Sequence, residues 1–234
     1  MSVDHFVCVS QVSEKYLRKR KNLSHIKNII YIYHGLNPTK KKSKKMLRKL
    51  INIENNEKIC LVLATYERRK GHSFLIKSFK EVLKIRSDVH LVFVGHRNKN
   101  DLNYFNYLKT LQNNKIHFLD FVPYATSFII ESDLVLLGSQ EFESFGLVAL
   151  EAMMLKKPVI TTNLEAFKEV LGKENFENII KKNNYKSYSN QIIKMLNNKK
   201  YRNESIEKGY KRANILFNPY QMCLKYYDLI NTKK

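Results

Sequence analysis

The feature that most constrains this chain is an alternation of short apolar runs with longer amphipathic stretches. "HFVCVS" (5–10), "NIIYIY" (28–33), "KICLVLAT" (58–65), "VHLVFVG" (89–95), "KIHFLDFV" (115–122), "DLVLLGS" (133–139) and "KPVITTN" (157–163) read as strands. Between them, residues 11–22, 42–51, 73–85, 101–112, 124–131 and 145–155 carry apolar side chains at helical spacing. Runs such as "KICLVLAT" are apolar throughout, as strands covered on both faces of a parallel sheet must be. The series therefore predicts an α/β fold: a doubly wound, Rossmann-like parallel sheet with helices on both faces. From 183 onward the pattern is helical and closes with "PYQMCLKYYDLI" (219–230).

Composition narrows the setting. No apolar run approaches the roughly 18 residues of a membrane-spanning helix. The start, "MSVDHFVCVSQVSEKY", lacks the basic-then-apolar layout of a signal peptide. Cys8, Cys60 and Cys223 are odd in number and far apart, which argues against a disulfide framework and for a reducing, cytoplasmic setting. No Cys/His cluster has metal-site spacing, so no metal is expected. The net charge of +21 fits an anionic ligand, an anionic membrane face or nucleic acid, and equally a solvated surface rich in lysine. No aromatic RNA-binding motif or helix-turn-helix signal interleaves the lysines, which argues against nucleic acid. The segment 42–51 carries Lys42, Lys44, Lys45, Arg48 and Lys49 on an amphipathic pattern. That pattern suits either peripheral attachment to the inner face of an anionic membrane or a packed helix with a solvated face.

Ligands of such sheets sit at the carboxyl ends of the strands. Two loops there are chemically loaded. "YERRKGH" (66–72) places Arg68, Arg69 and Lys70 before Gly71 and a helix start, where side-chain charge and free backbone N–H groups add to make an anion site; the alternative is a solvated charge run. "SQEFESFGLVALEAMM" (139–154) sets Glu143 just before a helix and Glu151 within it, with Gly146 between. Helical side chains lean toward the N-terminus, so both carboxylates can reach one ligand docked there. A carboxylate accepts hydrogen bonds only, which suits hydroxyl pairs. The alternative is that Glu143 favours the helix dipole and Glu151 is a surface acid.

"EFESFGLVALEAMMLKKPVITTN" resembles the nucleotide-sugar signature of retaining glycosyltransferases of family 4, which have the GT-B fold. "YERRKGHSFLIKSFKEVL" is similar to their lysine-glycine element, and "IHFLDFVPYATSFIIESDLVLLGS" to their stretch beside the nucleotide base. The likeness covers roughly 58–180 in family order. It implies the C-terminal half of a GT-B fold: 1–35 a remnant of the acceptor domain and hinge, 36–216 the nucleotide-sugar-binding domain, and 217–234 a helix crossing back to the other domain. The implied reaction is retaining transfer of a sugar from a UDP- or GDP-linked donor, in polysaccharide or glycolipid synthesis, without a metal cofactor. Glu151 would hold ribose and Glu143 the sugar hydroxyls. The backbone at Ser144, Phe145, Gly146 and Leu147 would meet sugar and phosphate, and Lys70 would neutralise the departing diphosphate.

Thr65 stands where the family often has arginine, and Arg69 or Arg68 is the substitute expected from the sequence. Lys156 and Glu165-Ala166 replace glycines of the pattern. None of His5, His25 and His34 falls in a matching motif. Little of an acceptor domain is legible, so a separate acceptor-binding chain or self-association is the expected partner, and an inactive fragment is the alternative.

Overall fold

The computed structural model describes residues 5–21, 26, 28–38, 46–123 and 125–231. Six parallel strands form the main sheet: β3 (Lys58–Leu63), β4 (Val89–Gly95), β5 (Ile116–Asp120), β6 (Leu134–Leu137), β7 (Val159–Thr162) and β8 (Ile179–Ile180). Their order is β5-β4-β3-β6-β7-β8. The chain runs outward from β3 through β4 to β5, then returns to pair β6 on the other side of β3, with Cys60 opposite Leu134 and Leu61 opposite Val135. That reversal is the topological switch point of a doubly wound sheet.

Alternation along the strands builds two cores. Ile59 and Leu61 of β3 face one way, with Val92, Val135 and Val159. On that side pack α2 (Met46–Leu50), α5 (Ala125–Glu131), α6 (Leu147–Met154), α7 (Glu165–Leu171) and the end of α9 (Lys199–Leu216). Cys60 and Val62 face the other way with Phe93 and Leu136, beneath α3 (His72–Leu83), α4 (Leu102–Lys109) and α8 (Tyr185–Asn197). The expected α/β fold is present, with short differences in its elements. The segment expected as a helix over 11–22 is α1 (Gln11–Arg18), with Ser10 capping it by accepting from Ser13 N–H at 3.0 Å. The helix expected over 42–51 is described only from Met46, so Lys42, Lys44 and Lys45 lie outside the described residues, as does His25. The helical stretch expected from 183 onward divides at Asn198, which caps α9 through Tyr201 N–H. Between the strand at 157–163 and the helical stretch from 183 no element was expected; the structure has α7, a 3₁₀ segment over Lys173–Asn178, and β8, whose two residues are too few to show a period.

The first part of the chain pairs with itself, not with the main sheet. β1 (Phe6–Cys8) and β2 (Ile29–Tyr31) form a two-stranded parallel sheet joined through α1. A carboxylate of the main domain clamps it: Glu169 of α7 accepts from the backbone N–H of Gln11 at 2.7 Å and Val12 at 3.1 Å. A negative charge on the free N–H groups of a helix start is favourable on both hydrogen-bonding and dipole grounds. At the other end of the chain, α10 (Pro219–Asn231) buries none of its residues, and Tyr220, Tyr227 and Ile230 are exposed. Among the described residues no helix is long and apolar enough to cross a membrane.

Two histidines, one buried and one half-buried, tie stability to pH. His72, at the start of α3, is fully buried among Tyr66, Phe93 and Tyr104. Neither ring nitrogen makes a hydrogen bond of ordinary geometry, and burial lowers its pKa to about 4. His117 of β5 stacks on His90 of β4, which in turn contacts Glu57 at 2.9 Å, and burial lowers the pKa of His117 to about 4 also. The unfolded chain takes up these protons near the ordinary value of 6.5 while the folded chain resists until about 4. Stability is therefore whole above pH 6.5, falls as pH drops across that window and levels below it. Urea unfolding between pH 7 and pH 4.5 should show this slope. His72→Phe should flatten it by up to about 1.4 kcal/mol per pH unit; an unchanged slope would refute the assignment to His72.

Candidate functional site

The loops after β3 and β6 diverge at the switch point, because α3 and α6 pack on opposite faces of the sheet. Between them lies a cavity of about 240 Å³ lined by residues of both strand ends, Lys70, Gly138, Ser139, the segment 143–148, and His34. Each wall has a specific anchor. The loop after β3 is pinned by Tyr66, whose buried hydroxyl donates to the carbonyls of Phe93 at 3.1 Å and Leu119 at 2.7 Å. A 3₁₀ turn, Arg68–Lys70, follows and ends at Gly71 with φ of 72°. A Cβ at Gly71 would stand 1.9 Å from the carbonyl oxygen of Gly138, so only glycine lets the two loops touch there. Gln140 N–H closes the seam by donating to the Arg69 carbonyl at 2.9 Å.

The wall after β6 is held from the far side of the cavity. The hydroxyls of Ser10 and Ser13, at the start of α1, donate to the Ser144 carbonyl at 2.6 and 2.9 Å. The Phe145 side chain is buried, edge-on to Phe217 at 5.4 Å and to His34 at 5.4 Å. Gly146 then takes φ of 101° and opens α6. The first turn of α6 thus presents its free N–H groups at the cavity, a favourable place for an anion. Thr162 of β7 supports the floor by donating to the Ser139 carbonyl.

The sequence-selected residues separate into two sets. Lys70 and Glu143 meet inside the cavity, Nζ to Oε2 at 2.7 Å. Ser144, Phe145, Gly146 and Leu147 line it. Glu151 lies one turn beyond Leu147 on the same helix face, outside the cavity lining. It is partly buried, no described residue donates to its carboxylate, and burial raises its pKa. Of the three bases in the loop after β3, only Lys70 enters the cavity. Arg68 turns to Asp101 at 3.1 Å and lies over the Tyr104 ring; Arg69 pairs with Glu67 at 2.6 Å. Thr65 stays in the loop, outside the lining, and its carbonyl accepts from Glu67 N–H.

His34 is the lining residue that the sequence reading passed over. It follows β2 in "YHGLNP", and the usable signal was its place just past the carboxyl end of a strand. The chain around it is fixed by contacts that no local pattern shows. Gly35 N–H points at the Met222 sulfur at 3.2 Å, and Leu36 N–H donates to the Phe217 carbonyl at 3.2 Å. Burial lowers the pKa of His34, which favours a neutral ring in the cavity. Among the described residues no three His, Cys, Asp or Glu side chains cluster to hold a metal ion.

A doubly wound parallel sheet with a basic and acidic cavity at its switch point defines a Rossmann-like ligand-binding domain of the kind found in GT-B proteins. The chain belongs to the group 1 glycosyl transferases, whose family model matches residues 43–212. It is 30% identical over 156 residues to an uncharacterized glycosyltransferase of Methanocaldococcus jannaschii, covering 61% of this chain and 38% of that protein. It is 28% identical over 145 residues to the capsular polysaccharide biosynthesis glycosyltransferase CapM of Staphylococcus aureus, covering 62% and 38%. The chain thus matches well under half the length of these relatives. Its fold is similar to that of Anabaena HepE, solved in complex with UDP and glucose, with a TM-score of 0.86 at 18% identity over 98% of this chain and 63% of that one.

The Gly71 contact gives a direct test of how the cavity is built. Gly71→Ala forces a Cβ against the Gly138 carbonyl and strains a left-handed backbone. It should cost about 1–3 kcal/mol in chemical denaturation and displace Lys70 from Glu143. A loss below about 0.5 kcal/mol, within the range of ordinary surface substitutions, would mean that the two loops are not locked there.

Proposed function

We propose that this chain is the donor-binding half of a retaining glycosyltransferase and holds a nucleotide-diphosphate sugar in the switch-point cavity. The observation that carries the reading is the convergence of Lys70 and Glu143 at the N-terminus of α6, with the unpaired Glu151 one turn further along. Glu151 would accept from the ribose hydroxyls. The diphosphate would lie on the first turn of α6 and take Lys70, and the sugar would project past Glu143 and the backbone of 144–147. Breaking the anomeric C–O bond leaves the electron pair on the diphosphate. Lys70 and the α6 N–H groups are fixed donors aimed at that developing charge, the arrangement that lowers such a barrier most. His34, in the lining beside Phe145 with its pKa lowered by burial, would hydrogen-bond the sugar or its phosphate. The arginine expected beside the diphosphate has no counterpart in the lining, because Arg68 and Arg69 are paired elsewhere. Lys70 would carry that charge with the helix terminus alone.

The similarity to CapM supports polysaccharide assembly as the setting, and the likeness to HepE supports uridine diphosphate as the first donor base to test. The acceptor would be positioned by residues beyond this span, either in a longer chain or in a partner.

Calorimetric titration with UDP, GDP and a panel of their sugars, without divalent metal, tests the reading. One base should bind. Lys70→Met should weaken its diphosphates roughly 10- to 150-fold, the usual cost of losing a hydrogen bond to a charged group. Glu151→Ala should weaken free nucleotide and nucleotide sugar alike. If the folded wild-type chain binds none of them at millimolar concentration, the donor-site reading is wrong.

A further inference from the structure

Lys70 and Glu143 do more than share the cavity: each occupies the other. Their side chains are only 18% and 13% exposed, and the 2.7 Å contact joins residues 73 apart in sequence. Ser139 Oγ stands 3.5 Å from the same Glu143 oxygen. A shielded pair of this kind interacts more strongly than one at the surface, and separating it leaves an uncompensated charge unless a ligand replaces the lost partner.

We propose that Glu143 is a specificity-determining residue which makes the cavity prefer an intact nucleotide sugar over the free nucleoside diphosphate left after transfer. The proposal rests on the donor-site reading above. Donor binding is then an exchange. The diphosphate takes Lys70 from Glu143, and the sugar hydroxyls compensate Glu143 with new hydrogen bonds. The product has a diphosphate and no sugar. It can take Lys70 only by leaving Glu143 with no donor but the Ser139 hydroxyl at 3.5 Å, in a shielded site, beside phosphate oxygens of its own sign. Once the sugar has gone, Glu143 competes for Lys70 and displaces the product. Product release limits the turnover of many enzymes, so a built-in competitor at the leaving group is a useful device.

Removal of Glu143 should therefore act in opposite senses on the two ligands. Binding of the nucleoside diphosphate and its sugar is compared by calorimetry in the wild type, Glu143→Gln, Lys70→Met, the double variant, and Glu141→Gln, which removes an exposed acid two residues away. Glu143→Gln should bind the free diphosphate roughly three- to tenfold more tightly than wild type. It should narrow the preference for the nucleotide sugar by at least as much. The double variant should bind the diphosphate as Lys70→Met does, because the effect passes through Lys70. Glu141→Gln should change it less than about twofold, as expected for an exposed charge. Diphosphate affinity that is unchanged or weaker in Glu143→Gln overturns the proposal. So does tightening that persists without Lys70 or appears equally in Glu141→Gln, since either would be a general charge effect. If no form binds any nucleotide, the donor-site reading falls first and this proposal with it. Binding by the wild type with an unaltered Glu143→Gln value would sink the proposal alone.

Discussion

The hydrogen bonding of β6 to β3 is the constraint on which the rest of the molecule depends. Had β6 followed β5 on the outer edge, every crossover would have put its helix on the same face. Returning to β3 puts α3 under one face and α6 over the other. Right-handed crossovers leave no alternative. The loops leading to those helices must then part company, and the gap is the cavity. The same geometry aims the start of α6 at the gap, so a region of positive potential is supplied by backbone alone, before any side chain is chosen.

On that frame the charges are arranged economically. The chain is strongly basic as a whole, yet its bases do not crowd the cavity. Arg68 and Arg69 are engaged by Asp101 and Glu67, and among the described residues one lysine, matched by one glutamate, lines the cavity. An uncompensated cluster of cations there would bind any polyanion in the cell. A neutral pair beside a helix terminus suits the proposed ligand, which brings both a negative group and hydroxyls. The half-buried carboxylate clamp of Glu169 on α1 serves the same end at a distance. By holding the start of α1 it holds Ser10 and Ser13, and through them the Ser144 carbonyl at the cavity rim.

Most strands and helices could be read from the sequence because the interior of a parallel sheet is dry on both sides. Only continuous apolar runs survive there, and "KICLVLAT" and "VHLVFVG" leave little else to be. Glu143 and Glu151 could be singled out for a similar local reason, as acids next to a glycine and inside an apolar helix in a chain otherwise rich in lysine. Glu165–Leu171 and Ile179–Ile180 escaped. The former is a short helix with few turns to establish a period, and the latter is an edge strand defined by two pairings to β7 rather than by its own residues.

The sequence by itself determined the layering, the strand-helix alternation and the two loops where a ligand would sit, because each depends on side chains within a few residues of one another. Only the tertiary structure decided that Lys70 and not Arg68 would enter the cavity, because Asp101, 33 residues away, had first to claim Arg68. It also brought His34 to the wall through Met222 and Phe217, and set Lys70 against Glu143 across 73 residues of chain. Those outcomes depend on the order of strands in the sheet and on one glycine contact between loops, and a linear pattern of residues carries neither.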